Sequence, residues 1–185
     1  MIPAYGMVAP GISGYQSYQA DYATMPQIDR EETARGILHE LGYGPDNPLK
    51  LELRYDTSEN NQNTAVAIQE QLRPFGIEVS LLNTDAKTHF SYLEGGGDFD
   101  FARSGWIGDY KDPETFLGTL RRASGNNLGH YESADFERFM EAAAAAGAEP
   151  EKRMRLLAQA ERQLIDDVGI MPLLFYSFRT SSLPR

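Results

Sequence analysis

Cysteine is absent from the 185 residues. That excludes a disulfide framework, a thiolate nucleophile and Cys-ligated zinc or iron–sulfur sites, and it leaves the compartment open. Positive charge is scarce: 17 Lys and Arg stand against 27 Asp and Glu, a net charge of −10. Binding a phosphate backbone needs a basic face, so nucleic acid is not the expected partner. An anionic lipid surface is disfavoured on the same ground. No apolar run approaches the roughly 18 residues that a membrane span requires. Residues 1–28 hold no Lys or Arg and no continuous apolar stretch, so they do not read as a signal peptide. Either the mature protein is cytosolic or the chain is a piece that never included the signal. What remains is ordinary globular composition, 41% hydrophobic and 24% charged, long enough for one domain that buries its own core without a metal or disulfide staple.

Residues 1–28 combine Pro3, Pro10 and Pro26 with Gly6, Gly11, Gly14 and the tyrosines 5, 15, 18 and 22. No helical or strand period is visible, and tyrosines at that density pack on something. The division expected is therefore an irregular segment over 1–28, packed on an α/β lobe over 29–182. Asp29 with Glu32 reads as a capping box for a helix whose apolar stripe is Ala34, Ile37, Leu38 and Leu41, closed by Gly42 or Gly44. Residues 49–55 alternate strictly and predict a strand. Ala65, Ile68, Leu72 and Phe75 predict a helix, and 77–82 a second strand. The three together have the size of a parallel strand–helix–strand unit. Asp85 caps a short helix bearing Phe90 and Leu93, and Gly95–Gly97 breaks it. A third strand is expected over 99–106. Asp112-Pro113 is an N-cap and N1 pair for the next helix, Ser133 starts another, a last helix spans about 151–168, and 170–178 reads as a final buried strand.

Chemistry-bearing patterns are few. His39, His89 and His130 lie far apart and show no metal-ligand spacing. Gly95–Gly97 lacks the lysine and hydroxyl of a phosphate loop, and no Gly-x-Ser-x-Gly elbow exists. Neither a metal nor a cofactor is expected. The carboxylate pairs Asp98/Asp100 and Asp109/Asp112 leave a hydrolase open as the alternative, with Asp109 and a second acid doing the work. Glu161 falls inside the apolar arc of the last helix, between Met154, Leu157, Leu164, Ile165 and Val168. A carboxylate there must be paired or hydrogen-bonded, and the reading is a structural acid satisfied by backbone N–H groups or an arginine. The stretch 103–113 delivers Trp106 and Asp109 to a glycine-containing loop ahead of a helix. In open α/β sheets that is where ligands bind. An indole beside a carboxylate suits a ligand with an apolar part and a cationic head; a core tryptophan and a capping aspartate would look the same in sequence.

Several segments, in order, resemble one family. Val8-Ala9-Pro10-Gly11 with Gly14-Tyr15, the helix Ala34–Gly44, Phe99-Asp100 followed by Gly105-Trp106 and Asp109-Tyr110-x-Asp112-Pro113, then Glu161-x-x-Leu164 and Ile170-Met171-Pro172-Leu173 are similar to the C-terminal lobe of extracellular solute-binding proteins of ABC importers, oligopeptide/dipeptide class. The resemblance implies a periplasmic-binding-protein type II lobe, with a mixed, mainly parallel sheet and helices on both faces. It implies a non-enzymatic, periplasmic or extracellular peptide carrier attached to the cell envelope. Its partners would be a peptide ligand, a missing N-terminal lobe of the same protein and an ABC permease in the membrane. By resemblance, the main chain of Gly105, Trp106 and Ile107 pairs with the peptide, Asp109 holds its α-ammonium group and Trp106 walls a side-chain pocket. Arg103 is a candidate for the ligand's carboxyl end, and Tyr176 a loosely matched pocket aromatic. Some relatives take nickel, haem, opines or sugars, so a non-peptide solute is the other ligand reading.

Overall fold

The computed structural model describes residues 2–176. Their regular elements are, in chain order, β1 (Ile2–Pro3), α1 (Gln27–Glu40), β2 (Leu49–Asp56), α2 (Glu59–Leu72), β3 (Ile77–Thr84), α3 (Ala86–Glu94), β4 (Phe101–Ala102), α4 (Glu114–Leu117), α5 (Ala134–Ala145), α6 (Pro150–Asp166) and β5 (Leu174–Phe175). Packing divides the chain into two compact units. One comprises the residues up to Ala23, Ile107–Ser124 and Tyr131 onward; the other comprises Thr24–Trp106 and Gly125–His130.

The sheet of the second unit has the order β3-β2-β4. β2 and β3 run parallel, in register from Leu49 opposite Ile77 to Asp56 opposite Thr84. The alternation in β2 sorts its side chains onto two faces. Leu53 and Tyr55 are buried with Val79 and with Ala65 of α2, and Ile68 and Leu72 pack around them. On the opposite face the Arg54 guanidinium stacks 3.8 Å from the centre of the Tyr92 ring of α3. Helices therefore cover both faces of this sheet. Ser58 caps α2 by accepting the Asn61 N–H, and Asp85 caps α3 by accepting the Thr88 N–H.

Three expectations for this unit need correction. The first helix starts at Gln27 behind Pro26, and no side chain caps it; proline fixes the entry and Asp29 falls inside the first turn. Its apolar stripe is not a core face, since Ile37 and Leu41 are exposed and no residue of α1 is buried. Its contact with the unit includes Arg35, stacked over Phe75. The C-terminal end does follow the sequence: Gly42 adopts φ +83°, its N–H bonds the His39 carbonyl and the Tyr43 N–H bonds that of Leu38, a paired closure that favours glycine. The strand expected over 99–106 is regular only at Phe101–Ala102, parallel to β2 at Leu53 and Arg54. Its start is set by Asp100, whose carboxylate accepts the Glu52 N–H at 2.7 Å and takes the place of a ladder bond.

In the first unit the core is helical. Val8, Leu117, Leu120, Phe136, Met140, Ala143, Leu157, Ala160 and Leu164 form one cluster from the N-terminal segment, α4 and the turn after it, α5 and α6. Ser133 caps α5 through the Phe136 N–H. The N-terminal segment is held by Glu161, fully buried on α6. One carboxylate oxygen accepts the N–H groups of Met7 and Val8, both at 2.8 Å. The other accepts the Tyr15 hydroxyl at 2.7 Å and the Tyr18 N–H at 2.8 Å. Burial pushes this carboxyl above its usual range, and the four donors pull the other way. The pairing is with backbone and tyrosine, and among the described residues no arginine takes part. The final strand is shorter and less buried than expected. Among the described residues only Leu174–Phe175 pair as strand, antiparallel with Ile2–Pro3, with one further main-chain bond from the Ala4 N–H to the Leu173 carbonyl; Met171 and Leu173 are exposed. Beyond Ala4 the N-terminal segment turns to other partners, the Tyr5 carbonyl accepting the Ala20 N–H and the Met7 N–H donating to Glu161, so the ladder ends there. The expected strand's residues 177 and 178 lie outside the described residues.

Candidate functional site

The segment that follows β4 begins anchored and then loses its partners. Past Ala102, the Arg103 N–H still donates to the Arg54 carbonyl of β2 at 2.8 Å. The Arg103 carbonyl accepts from His89 Nε2 of α3 at 3.0 Å. The Ser104 carbonyl accepts from the Arg103 guanidinium at 2.7 Å. Beyond that, Gly105, Trp106 and Ile107 make no main-chain hydrogen bond to any described residue. All three are exposed, Ile107 to 77% and Trp106 to 39%. Unpaired main chain continuing from a strand is a template for pairing with another extended chain.

In the first unit, the continuation is fixed again at two residues. A Cβ on Gly108 would lie 2.8 Å from Phe116 Cζ and 3.0 Å from Thr115 Cγ2, so a larger residue would have to displace the Phe116 ring for the chain to pass this close to α4. The Asp109 N–H donates to the buried Thr115 hydroxyl at 2.9 Å, which leaves the exposed Asp109 side chain to solvent. Asp112 accepts the Glu114 N–H at 2.9 Å, although the helix proper begins one residue later than expected, behind Pro113. Arg153 of α6 grips Asp112 through two nitrogens, at 2.7 and 2.9 Å, and reaches Glu114 at 2.7 Å. Burial would raise the Asp112 carboxyl, but the hydrogen bonds from Arg153 and the Glu114 N–H outweigh it and hold Asp112 below the usual carboxylate range. Partial burial, then the Glu114, Asp112 and Asp109 charges, push the Tyr110 phenol up.

This geometry separates the acids. Asp112 is committed to Arg153 and a helix N-terminus, and Asp100 to the Glu52 N–H, so neither is a free general base. Asp109 is the carboxylate of this stretch that faces water. Among the described residues, no group of three or more His, Asp or Glu side chains is placed to hold a metal ion, and no helix is long and apolar enough to cross a membrane. Of the sequence candidates, Arg103, Gly105 and Trp106 belong to the second unit, and Ile107, Asp109 and Tyr176 to the first. Tyr176 is half-exposed just beyond β5. Thr115, Arg153 and His89 escaped the sequence reading. Thr115 and Arg153 act through contacts that no local pattern announces, and His89 is a polar residue on the buried stripe of a short helix.

Comparison with known proteins gives a consistent answer. The family description "Bacterial extracellular solute-binding proteins, family 5 Middle" matches residues 1–127. The periplasmic oligopeptide-binding protein OppA of Salmonella typhimurium is 35% identical over 176 residues, which cover 95% of this chain and 32% of that protein. The periplasmic murein peptide-binding protein MppA of Escherichia coli is 30% identical over the same shares. The crystal structure of Haemophilus influenzae OppA in complex with RPPGFSPFR superposes with a TM-score of 0.86 at 32% identity, covering 95% of this chain and 34% of that one. The chain thus spans about a third of the length of the curated relatives it matches.

Proposed function

The chain belongs to the bacterial extracellular solute-binding proteins of family 5, and on that premise we propose that it forms part of the substrate-binding component of an ABC importer that takes peptides, oligopeptides or dipeptides. The observation that carries this reading is the open segment 105–107, whose main chain is unpaired among the described residues and is followed by the solvent-facing carboxylate of Asp109. A peptide that adds its main chain to Gly105, Trp106 and Ile107 is gripped without its side chains being read, which suits a carrier of many sequences. Its α-ammonium group is the cation that Asp109 receives. Trp106 supplies an apolar wall, Arg103 a cation for the carboxyl end, and Tyr176 an aromatic edge.

The rest follows from the same premise. Residues 29–182 act as one lobe with 1–28 packed on it. The length found in the relatives but not in this chain supplies an opposing lobe that closes over the ligand by a hinge. The partner in the membrane is the permease, and the place of action is the periplasm or cell surface. The protein binds and releases its ligand unchanged. Of the acids that a hydrolase would pair with Asp109, Asp112 and Asp100 are already engaged, which favours the carrier reading.

Titrating trialanine into the isotope-labelled chain, followed by amide NMR, tests this. Shifts should concentrate at 104–109, with a dissociation constant of about 1 mM, since a single lobe leaves half of the ligand in water. The peptide should be recovered intact. Unmoved signals at 104–109, or cleaved peptide, would overturn the proposal, and micromolar affinity would overturn the two-lobe division.

A further inference from the structure

We infer that His89 is a positioning residue: it holds the Arg103–Ser104 peptide plane so that the Ser104 N–H is presented as the first free donor of the ligand segment. The consequence for ligand rests on the peptide-binding reading above; the orientation itself rests on geometry alone.

His89 sits in the first turn of α3, 1% exposed, with Phe90 edge-on to its ring at 5.1 Å. Its Nε2 lies 3.0 Å from the Arg103 carbonyl oxygen. A carbonyl only accepts, so the proton is on Nε2. Among the described residues Nδ1 has no hydrogen-bond partner, so a proton there would find no acceptor. Buried polar atoms without partners are rare. A leucine at this helical position would bury apolar surface without leaving one. What histidine supplies in exchange is a single N–H, and that N–H goes to Arg103.

The consequence passes through the peptide plane. The Arg103 carbonyl and the Ser104 N–H belong to one planar trans unit and point in opposite directions. Fixing the carbonyl on His89 therefore aims the Ser104 N–H away from α3. That N–H makes no hydrogen bond to any described residue. On the other side of Arg103, its own N–H is tied to Arg54. Arg103 is thus held at both peptide groups, and the free main chain starts at the next N–H.

The experiment compares the 185-residue chain with His89→Gln, which keeps a side-chain N–H, and His89→Leu, which keeps bulk but no donor. Three signals are read: the imidazole nitrogens, the amide signals of Arg103 and Ser104, and the trialanine titration. The wild type should show a protonated Nε2 and a bare Nδ1. His89→Leu should shift the Ser104 amide, leave the Arg103 amide protected from exchange, and weaken trialanine about tenfold. His89→Gln should stay within about threefold of the wild type. A proton on Nδ1, or an unmoved Ser104 signal with unchanged affinity in His89→Leu, would overturn the inference. If His89→Leu does not fold, the wild-type imidazole signals and His89→Gln decide it. Absence of trialanine binding in the wild type, with the imidazole and Ser104 signals as stated, would sink the peptide reading and leave the positioning intact.

Discussion

At the scale of single residues, buried charge does the most. Glu161 accepts four hydrogen bonds, three of them from main-chain N–H groups of residues 7, 8 and 18. No neutral side chain replaces that. Glutamine offers one acceptor oxygen and turns an NH2 toward donors, and leucine leaves all four donors orphaned. Each unsatisfied buried group costs about 1–3 kcal/mol. Glu161→Gln should therefore lower the unfolding free energy by about 2–4 kcal/mol, and Glu161→Leu by at least as much. Urea titration checks both; a midpoint equal to the wild type in either would mean that the segment 7–18 does not depend on this carboxylate. Asp112 sets a pH dependence. Its carboxyl is held below the usual range in the fold, so its contribution is present above the unfolded value of about 4 and is lost as pH falls through the folded one. Asp112→Asn should cost about 1–2 kcal/mol at pH 7, from the helix terminus and the partly buried Arg153 pair. The gap to the wild type should shrink toward pH 3. An equal gap at both pH values would assign Asp112 a purely steric role.

Elements were legible in the sequence where one face alone decides them. The alternation of 49–55, the stripe Ala65-Ile68-Leu72 and the caps Ser133 and Asp85 all act within a few residues, and each element formed where expected. Elements that depend on a partner were not legible. The 99–106 strand is regular only at Phe101–Ala102, where β2 pairs with it, and the last strand pairs only while the N-terminal segment runs beside it, before Tyr5 and Met7 turn to Ala20 and Glu161. The stripe on α1 has helical spacing, yet Ile37 and Leu41 are exposed and none of it is buried, because periodicity reports a face and not what covers it. The candidate site divides the same way. Asp109 and Trp106 stood out in the sequence as residue types at a strand-to-helix loop. Thr115, Arg153 and His89, which hydrogen-bond to that loop, come from contacts that no local periodicity announces, six, 41 and 14 residues away from their partners. One terminus shows a local conflict. α6 ends with Val168 at φ +55°, where the Gly169 N–H reaches back to the Leu164 carbonyl. Left-handed backbone costs a β-branched residue about 1–2 kcal/mol, and Val168 is 71% exposed, so little packing offsets it. Gly169 cannot exchange places with it, since a Cβ there would lie 2.6 Å from the Tyr131 ring. Val168→Asn should raise stability by about 0.5–1 kcal/mol, read as a higher thermal midpoint; a lower one would show that the valine side chain packs.

For the molecule as a whole, the net charge of −10 leaves a zwitterionic ligand admissible and gives the cationic end of a peptide a favourable field. On the proposed reading, this end is taken by Asp109. In this chain the Asp109 carboxylate is exposed, so water screens its attraction and the loss on removing it is modest; a closed two-lobe site would enlarge it. The most direct test is a cycle: wild type and Asp109→Asn, each titrated with trialanine and with its N-acetylated form, followed by amide NMR. Asp109→Asn should weaken the free peptide about fivefold and leave the acetylated one, already weaker on the wild type, unchanged. Equal losses for both peptides, or none for either, would contradict the assignment of Asp109 as the ammonium partner.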